Sequence, residues 1–224
     1  MTSDTANIRF AGSTFGVHRH VCAFFHSEED KYGALLPFIK EGFDHGDRAL
    51  HVLDPSRRTD HLRRLRAAGI DTERAEATGQ LKLHSCRPPI DEADASINPY
   101  PIISLIEREL GRGPELGFRL TRLIVEMEFA LDDQDGIKDH VEYEARLNYV
   151  LPKYPDPVVC VYDIAKFSGE VVIDILRTHP MVVMGGMLQE NPFFVPPGEF
   201  LKQLADRRAA GDRPHALNGS AMRF

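Results

Sequence analysis

The sequence predicts an α/β fold of three layers, in which helices cover both faces of a mostly parallel central sheet. Two observations lead to this prediction. Between His20 and Phe167, short runs rich in β-branched and aromatic residues alternate with amphipathic segments, as in stacked βαβ units. The chain has 224 residues, 42% hydrophobic and 27% charged, which fits one globular domain with a sizeable core.

Five runs have the length and residue types of strands. The run at 79–84 is short and polar, which predicts a place near the sheet edge. The run at 157–163 is the most apolar and predicts a central strand. In chain order the predicted strands are 20–25, 48–53, 79–84, 120–128 and 157–163.

The amphipathic segments are predicted to be helices. In the first of them, Leu35, Ile39 and Phe43 lie on one apolar stripe. Ser56 precedes the second helix and Gly69 ends it. The predicted helices are 28–43, 57–68, 102–110, 136–151 and 199–210.

A single folded domain is predicted over residues 17–210. Residues 1–16 are polar and lack the apolar core of a signal peptide, so we expect a flexible N-terminal segment. Residues 211–224 are polar and rich in helix breakers, which predicts a flexible tail. The Pro-containing segment 87–101 is predicted to be a mobile loop.

Charge and cysteine usage limit the partners and the compartment. The net charge of -7 gives no general attraction to DNA, and no apolar run approaches the roughly 20 residues that cross a bilayer. We therefore predict neither direct nucleic-acid binding nor membrane association. Cys22, Cys86 and Cys160 are odd in number and far apart, which suits buried core residues in a reducing compartment. The predicted location is the cytoplasm.

The most unusual segment runs from Arg177 to Pro197. It contains His-Pro, Gly-Gly, Asn-Pro and Pro-Pro pairs. Glycine permits positive φ and close backbone approach, whereas proline fixes φ and removes a donor. The pattern predicts a rigid, irregular loop that borders a pocket or an interface. His179 also fits the simpler role of a basic residue at a helix end.

Polar residues follow several predicted strands, and ligands of open parallel sheets bind beyond the carboxyl ends of the strands. Glu126 and Glu128 point to the same face and would repel each other if both were ionised. We interpret them as a polar pocket wall or as partners of Arg119 or Arg122, in preference to catalytic groups. The residues predicted to share this carboxyl rim are His26, Asp54, Glu126, Glu128 and Asp163.

Histidine and cysteine alternate along the first strand, which places His20, Cys22, Phe24 and His26 on one side of it. Zinc accepts such ligands, but a site needs three or four converging groups, and the sequence does not identify the others. We therefore predict no metal site, and the cofactor is unknown.

The usual sequence motifs of enzymes are not found. The sequence has no Gly-x-x-x-x-Gly-Lys-Ser/Thr, no Gly-x-Gly-x-x-Gly, no Gly-x-Ser-x-Gly and no His-Glu-x-x-His. After the first strand comes His26-Ser-Glu-Glu-Asp-Lys-Tyr32, whose acidic side chains would repel a triphosphate. The prediction is that the protein is not an enzyme.

Several short motifs, taken together, resemble the MEDS family, the methanogen/methylotroph DcmR sensory domain. The resemblance covers about residues 17–201, and the combination is specific although no single motif is. The motifs are His20-Val-Cys-Ala-Phe-Phe25, Pro37-Phe-Ile-Lys-Glu-Gly42, Gly79-Gln-Leu81, Glu126-Met-Glu128, Tyr143-Glu-Ala-Arg-Leu-Asn148, Cys160-Val-Tyr-Asp163, His179-Pro180 and Asn191-Pro192.

The resemblance implies a non-catalytic sensory module with a RecA/KaiC-like fold that lacks the phosphate-binding lysine loop. Members are proposed to sense small molecules, including one-carbon or halogenated hydrocarbon derivatives. They are proposed to signal to DNA-binding proteins, histidine kinases or anti-sigma-like partners. About 16 residues precede the domain, too few for a helix-turn-helix, so we expect the output to need a partner protein or a homo-oligomer.

The predicted function is small-molecule sensing in signal transduction or transcriptional control, with a pocket at the carboxyl rim. Three alternatives remain open. They are a divergent RecA-like nucleotide-binding protein (a pseudo-ATPase) that uses Glu126 or Glu128, a metal-dependent hydrolase, and an adaptor that binds proteins through segment 177–197. The candidate ligand contacts are His20, Glu126, Glu128, Tyr162, His179 and Asn191.

Overall fold

The computed structural model describes residues 7–85, 101–128 and 134–210. Its strands are β1 (Arg9–Phe10), β2 (Ser13–Thr14), β3 (His20–Phe25), β4 (Arg48–Leu53), β5 (Leu81–Ser85), β6 (Thr121–Glu126), β7 (Val158–Asp163), β8 (Met181–Met184) and β9 (Met187–Glu190). Its helices are α1 (Glu28–Asp44), α2 (Arg58–Ala67), α3 (Thr72–Thr78), α4 (Pro101–Glu115), α5 (Gln134–Leu147), α6 (Gly169–Thr178) and α7 (Pro197–Ala209).

Within the described residues, seven strands form one sheet in the order β5-β4-β6-β7-β3-β8-β9. All neighbouring pairs are parallel except β8 and β9, which are antiparallel. The three-layer α/β prediction is confirmed. All five predicted strands are present, with β5 at one edge and β7 in the centre as the polarity of their sequences indicates.

Alternate residues of each strand enter two different cores, one on each face of the sheet. Cys22 and Phe24 pack with Cys160 and Tyr162 under α4, α5, α6 and α7. Val21, Ala23 and Phe25 pack on the opposite face under α1, α2 and α3. Because both faces are covered, the central strands are buried throughout, which explains their nearly continuous apolar sequences.

The prediction of an irregular loop over segment 177–197 is wrong. The segment contains the end of α6, the β8–β9 hairpin and the start of α7. Gly185 and Gly186, with φ of 60° and 75°, form the turn of the hairpin. A two-residue hairpin turn with positive φ at both central positions favours glycine, so the Gly-Gly pair is explained by this turn.

The N-terminal residues 7–16 also differ from the flexible segment that the sequence suggests. They form the β1–β2 hairpin, and Ile8, Phe10 and Phe15 are buried in the core beside Phe38 of α1. Helix α3 was not predicted. The predicted mobile loop at 87–101 lies almost wholly outside the described residues, and Cys86 and residues 211–224 lie outside them too. Within the described ranges, no helix combines the length and the apolar character needed to cross a bilayer.

A buried arginine joins α1 to the sheet. Arg122 of β6 is 2% exposed, and its Nε donates to Asp47 Oδ2 at 2.9 Å. Its Nη1 donates to the carbonyl oxygen of Phe38 at 2.7 Å and to Glu41 Oε2 at 3.0 Å. Gly42 leaves the space for this side chain, because a Cβ at that position would lie 2.7 Å from both Cδ and Nε of Arg122.

We predict opposite effects for two glycine-to-alanine changes in α1. Gly42→Ala should lower the free energy of unfolding by roughly 1–3 kcal/mol, because the methyl group displaces the buried guanidinium from Asp47. Gly33→Ala should raise it by roughly 0.5–1 kcal/mol, since Gly33 is exposed, has no atom within 4 Å of an added Cβ, and alanine favours the helix. Urea unfolding followed by circular dichroism measures both values. Equal changes in the two variants would contradict the role of Gly42.

Candidate functional site

Four side chains with metal-binding or ionisable groups meet between the sheet and helices α5 and α6. They are His20 at the start of β3, Glu144 on α5, Cys160 on β7 and His179 between α6 and β8. None of the four is more than 3% exposed. We call this set the buried centre.

Glu144 is the common contact of the buried centre. Its Oε2 lies 3.2 Å from His20 Nε2 and 3.2 Å from His179 Nε2. Cys160 Sγ lies 3.6 Å from His20 Nε2 and 3.7 Å from Glu144 Oε2. All four potential ligand atoms are within 4.8 Å of one another, a spacing that a single metal ion could bridge.

The second carboxylate oxygen of Glu144 has its own hydrogen bond. The hydroxyl of Tyr162, which is fully buried, donates to Glu144 Oε1 at 2.9 Å. Because the hydroxyl proton is used there, the Tyr162 oxygen accepts from His140 Nε2, which lies 3.1 Å away. Tyr162 therefore fixes the orientation of the carboxylate and leaves Oε2 to face the two histidines.

The surroundings of Asn148 decide the tautomer of His20. Asn148 Nδ2 lies 2.7 Å from the carbonyl oxygen of Thr178 and 3.1 Å from that of Glu144, so this nitrogen donates to both. The remaining atom, Asn148 Oδ1, lies 3.1 Å from His20 Nδ1 and can only accept. Nδ1 of His20 therefore carries a proton, and its Nε2 faces Glu144 and Cys160.

The same argument holds for His179. Its Nδ1 lies 2.8 Å from the carbonyl oxygen of Ile175, which can only accept, so Nδ1 carries a proton. Nε2 of His179 is buried and makes no hydrogen bond, although it is close to Glu144 Oε2. In their neutral forms both imidazoles thus direct an Nε2 lone pair toward the same carboxylate oxygen.

Burial determines the ionisation of these groups. It lowers the pKa of His20, and the neighbouring His179 lowers it further. Burial alone would raise the pKa of Glu144, but the contacts with His179 and His20 outweigh it and hold this pKa well below its usual range. Burial and the nearby Glu144 raise the pKa of the Cys160 thiol. The centre therefore contains a carboxylate beside a histidine that resists protonation.

The comparison with known families matches this region. The model of the MEDS family, the methanogen/methylotroph DcmR sensory domain, matches residues 19–180. The chain belongs to the MEDS family. The match includes all four residues of the buried centre and Tyr162. The resemblance seen in the sequence is therefore confirmed.

This MEDS domain is also similar to a characterised regulator. It is 25% identical over 178 residues to the transcriptional repressor DcmR of Methylorubrum extorquens (strain DSM 6343 / CIP 106787 / DM4). The aligned region covers 79% of the present chain and 63% of the repressor, so the chain spans less than two thirds of that relative. Family and relative together indicate a sensory, regulatory role and not an enzymatic one.

The six predicted ligand contacts of the MEDS domain fall into separate places. His20 and His179 belong to the buried centre, and Tyr162 contacts it. For the two histidines the expected place at the carboxyl rim is wrong, because His20 is the first residue of β3 and His179 precedes β8, whereas Tyr162 near the end of β7 also borders the rim cavity. Glu126 and Glu128 do lie at the rim, where β6 ends.

Ion pairs fill the carboxyl rim of the MEDS domain. Lys31, 5% exposed, donates from Nζ to Glu126 Oε1 at 2.7 Å. Arg57 Nη2 lies 3.2 Å from Glu128 Oε2, and Lys166 Nζ contacts the same oxygen. The expected partners Arg119 and Arg122 instead contact Asp47. A cavity of about 10 Å³ remains between these groups, which is room for about one water molecule.

Asn191 has a structural position next to the centre. Its Nδ2 donates to the carbonyl oxygens of Leu176 at 2.6 Å and His179 at 2.7 Å. Its Oδ1 accepts from the backbone nitrogen of Phe193 at 3.0 Å. Asn191 thereby fixes the backbone on both sides of the junction that presents His179.

The sequence analysis missed Glu144, Cys160 and His140. A signal for two of them was present, since His140, Glu144 and Asn148 recur at every fourth residue, a spacing that places residues on one face of a helix. Polar groups on a helix face that also carries Val141 and Ala145 indicate a buried polar contact. No comparable signal marks Cys160, which resembles any small residue of a buried strand.

We predict that Asn191→Ala lowers the free energy of unfolding by roughly 1–3 kcal/mol. The change leaves two carbonyl oxygens without their donor, and a buried acceptor that loses its partner carries this cost. Gln189→Ala on β9 is the control, because Gln189 is exposed. Urea unfolding measures both variants. A loss no larger in Asn191→Ala than in the control would show that Asn191 does not hold the junction.

Proposed function

We propose that this MEDS domain receives a chemical signal at the buried centre and passes it to a regulatory protein. One observation carries the proposal: a carboxylate, two imidazoles and a thiol converge inside a layer whose core is built mainly of apolar side chains. Burying such ionisable groups costs free energy, and the packing of the fold does not require these groups at these positions. Clusters of buried ionisable groups with perturbed pKa values are typical of functional sites.

The spacing of the centre limits the ligand. Its atoms lie within 4.8 Å of one another, and the surrounding side chains are fully buried. The ligand is therefore an ion or a molecule of few atoms. One-carbon and small halogenated hydrocarbon derivatives, the class proposed for MEDS domains, are within this limit.

The output passes through the β8–β9 hairpin to a partner protein. His179 of the centre is joined to β8 by Pro180 alone. At the other end of the hairpin, Met184 and Met187 are 46% and 59% exposed beside the turn. Exposed large apolar side chains next to a turn suit contact with a protein such as a DNA-binding protein, a histidine kinase or an anti-sigma factor, or with a second copy of the chain. The net charge of -7 disfavours direct contact with DNA.

The ion pairs at the carboxyl rim favour a sensory function over that of a pseudo-ATPase. A nucleotide phosphate would have to displace Glu126 from Lys31 and Arg57, which already neutralise it. The acidic residues Glu28 and Glu128 border the same cavity. Adding a polyanion beside these carboxylates is unfavourable.

We expect native mass spectrometry of the protein, isolated gently from a cell extract, to detect a small non-covalent mass that is lost on denaturation. Glu144→Gln should abolish it, because this change removes the charge at the middle of the centre. Glu142→Gln, on the partly exposed side of the same helix, should retain it.

Three results would contradict the proposal. They are a retained nucleotide, which would support the pseudo-ATPase; the same mass in Glu144→Gln as in the wild type; and spectra without any added mass, which would favour an adaptor.

A further inference from the structure

The buried centre has the donor set, the spacing and the charge of a tetrahedral metal site. We propose that His20, Glu144, Cys160 and His179 together bind one divalent transition-metal ion, with zinc as the best match. The inference rests on the proposed role of this centre as the receptor and names its ligand.

The distances agree with a tetrahedral ion. Zinc lies about 2.0–2.1 Å from nitrogen and oxygen ligands and about 2.3 Å from sulfur, so neighbouring ligand atoms are about 3.3 Å apart, or about 3.6 Å where one is sulfur. The two nitrogen–oxygen distances in the centre are 3.2 Å. The two distances from Cys160 Sγ are 3.6 and 3.7 Å. Four of the six edges thus have the length that zinc requires.

The lone pairs of the centre also suit a metal cation. In their neutral forms both histidines carry their proton on Nδ1, so two Nε2 lone pairs and a carboxylate oxygen face one another. Nε2 of His179 has no hydrogen-bond partner, and a buried polar atom without one is unfavourable. A metal ion accepts all these lone pairs at once.

The charges balance when a divalent ion is bound. A coordinating thiol is deprotonated, so Cys160 contributes one negative charge and the Glu144 carboxylate another. Two neutral imidazoles add none. The sum with a divalent cation is zero, which suits a site whose ligands are all buried.

The groups behind the ligands complete the arrangement. Metal-binding histidines usually donate their other ring N–H to a carbonyl or carboxylate, which fixes the ring. Here Asn148 Oδ1 accepts the hydrogen bond from Nδ1 of His20, and the carbonyl oxygen of Ile175 accepts the one from Nδ1 of His179. Tyr162 occupies Glu144 Oε1, leaving Oε2 as a single oxygen ligand. Thiolate and imidazole donors favour zinc over magnesium or calcium.

Four protein ligands fill a tetrahedral coordination sphere. Catalytic zinc sites keep one position open for water, whereas structural sites are closed. The closed set therefore disfavours the metal-dependent hydrolase. It joins β3, β7, α5 and the α6–β8 junction, so loss of the ion would loosen these helices from the sheet.

The test begins with elemental analysis of the purified chain, for which we expect one zinc per chain. Replacement by Co²⁺ should give the visible bands of a tetrahedral ion and a near-ultraviolet thiolate-to-cobalt charge-transfer band. Cys160→Ser should abolish the charge-transfer band. Cys22→Ser is the matched control, because Cys22 is an equally buried thiol whose Sγ contacts the Met181 carbonyl oxygen instead. Asn148→Ala, which leaves every ligand in place, should weaken metal binding by about 10–100-fold.

The outcomes separate this inference from the proposed function. A wild-type chain that binds neither zinc nor Co²⁺ but retains an organic mass overturns the metal site and leaves the sensory proposal standing. A chain that retains nothing overturns both. A charge-transfer band that survives in Cys160→Ser, or is lost equally in Cys22→Ser, places any metal elsewhere and also overturns the assignment.

Discussion

The charge of Glu144 is the constraint on which the helical layer over this face of the sheet depends. Its carboxylate is fully buried, far from any solvent that could screen it. An uncompensated buried charge costs roughly 3–5 kcal/mol, a large part of the stability of a domain. The side chains that contact this carboxylate come from β3, β7 and the α6–β8 junction. The position of α5 over the sheet is therefore tied to the positions of all three.

Most of the sheet could be predicted because its strands have distinctive sequences. The runs at 20–25, 48–53 and 158–163 are buried over most or all of their length, and this burial requires the apolar residues that mark them. The strands β8 and β9 are only four residues long, too short to show a clear period. Their Gly-Gly turn and the flanking prolines resemble an irregular loop in sequence, although the turn geometry requires the glycines.

The candidate site could be predicted only in part, because strand order decides which residues meet. His20 and Cys160 are 140 residues apart in the chain and come together because β3 pairs with β7 in a register that sets Cys22 beside Cys160. Nothing in either strand alone indicates that pairing. The general rule for open parallel sheets pointed to the carboxyl rim, and Glu126 and Glu128 do lie there. The same rule gives no reason to examine the space beneath α5.

The free energy of ligand binding at the buried centre is large enough to shift an equilibrium between two states of the protein. A ligand that binds only one state of a protein stabilises that state by about 2.7 kcal/mol when its concentration is about 100 times Kd. That energy changes the population ratio of two states by about 100-fold, for example from about 1:10 to about 10:1. It is also comparable to the cost of leaving buried polar groups of the centre unpaired. Because His179 is a member of the centre and is separated from β8 by Pro180 alone, the proposed signal would have only a few residues to travel before it reaches the turn of the β8–β9 hairpin.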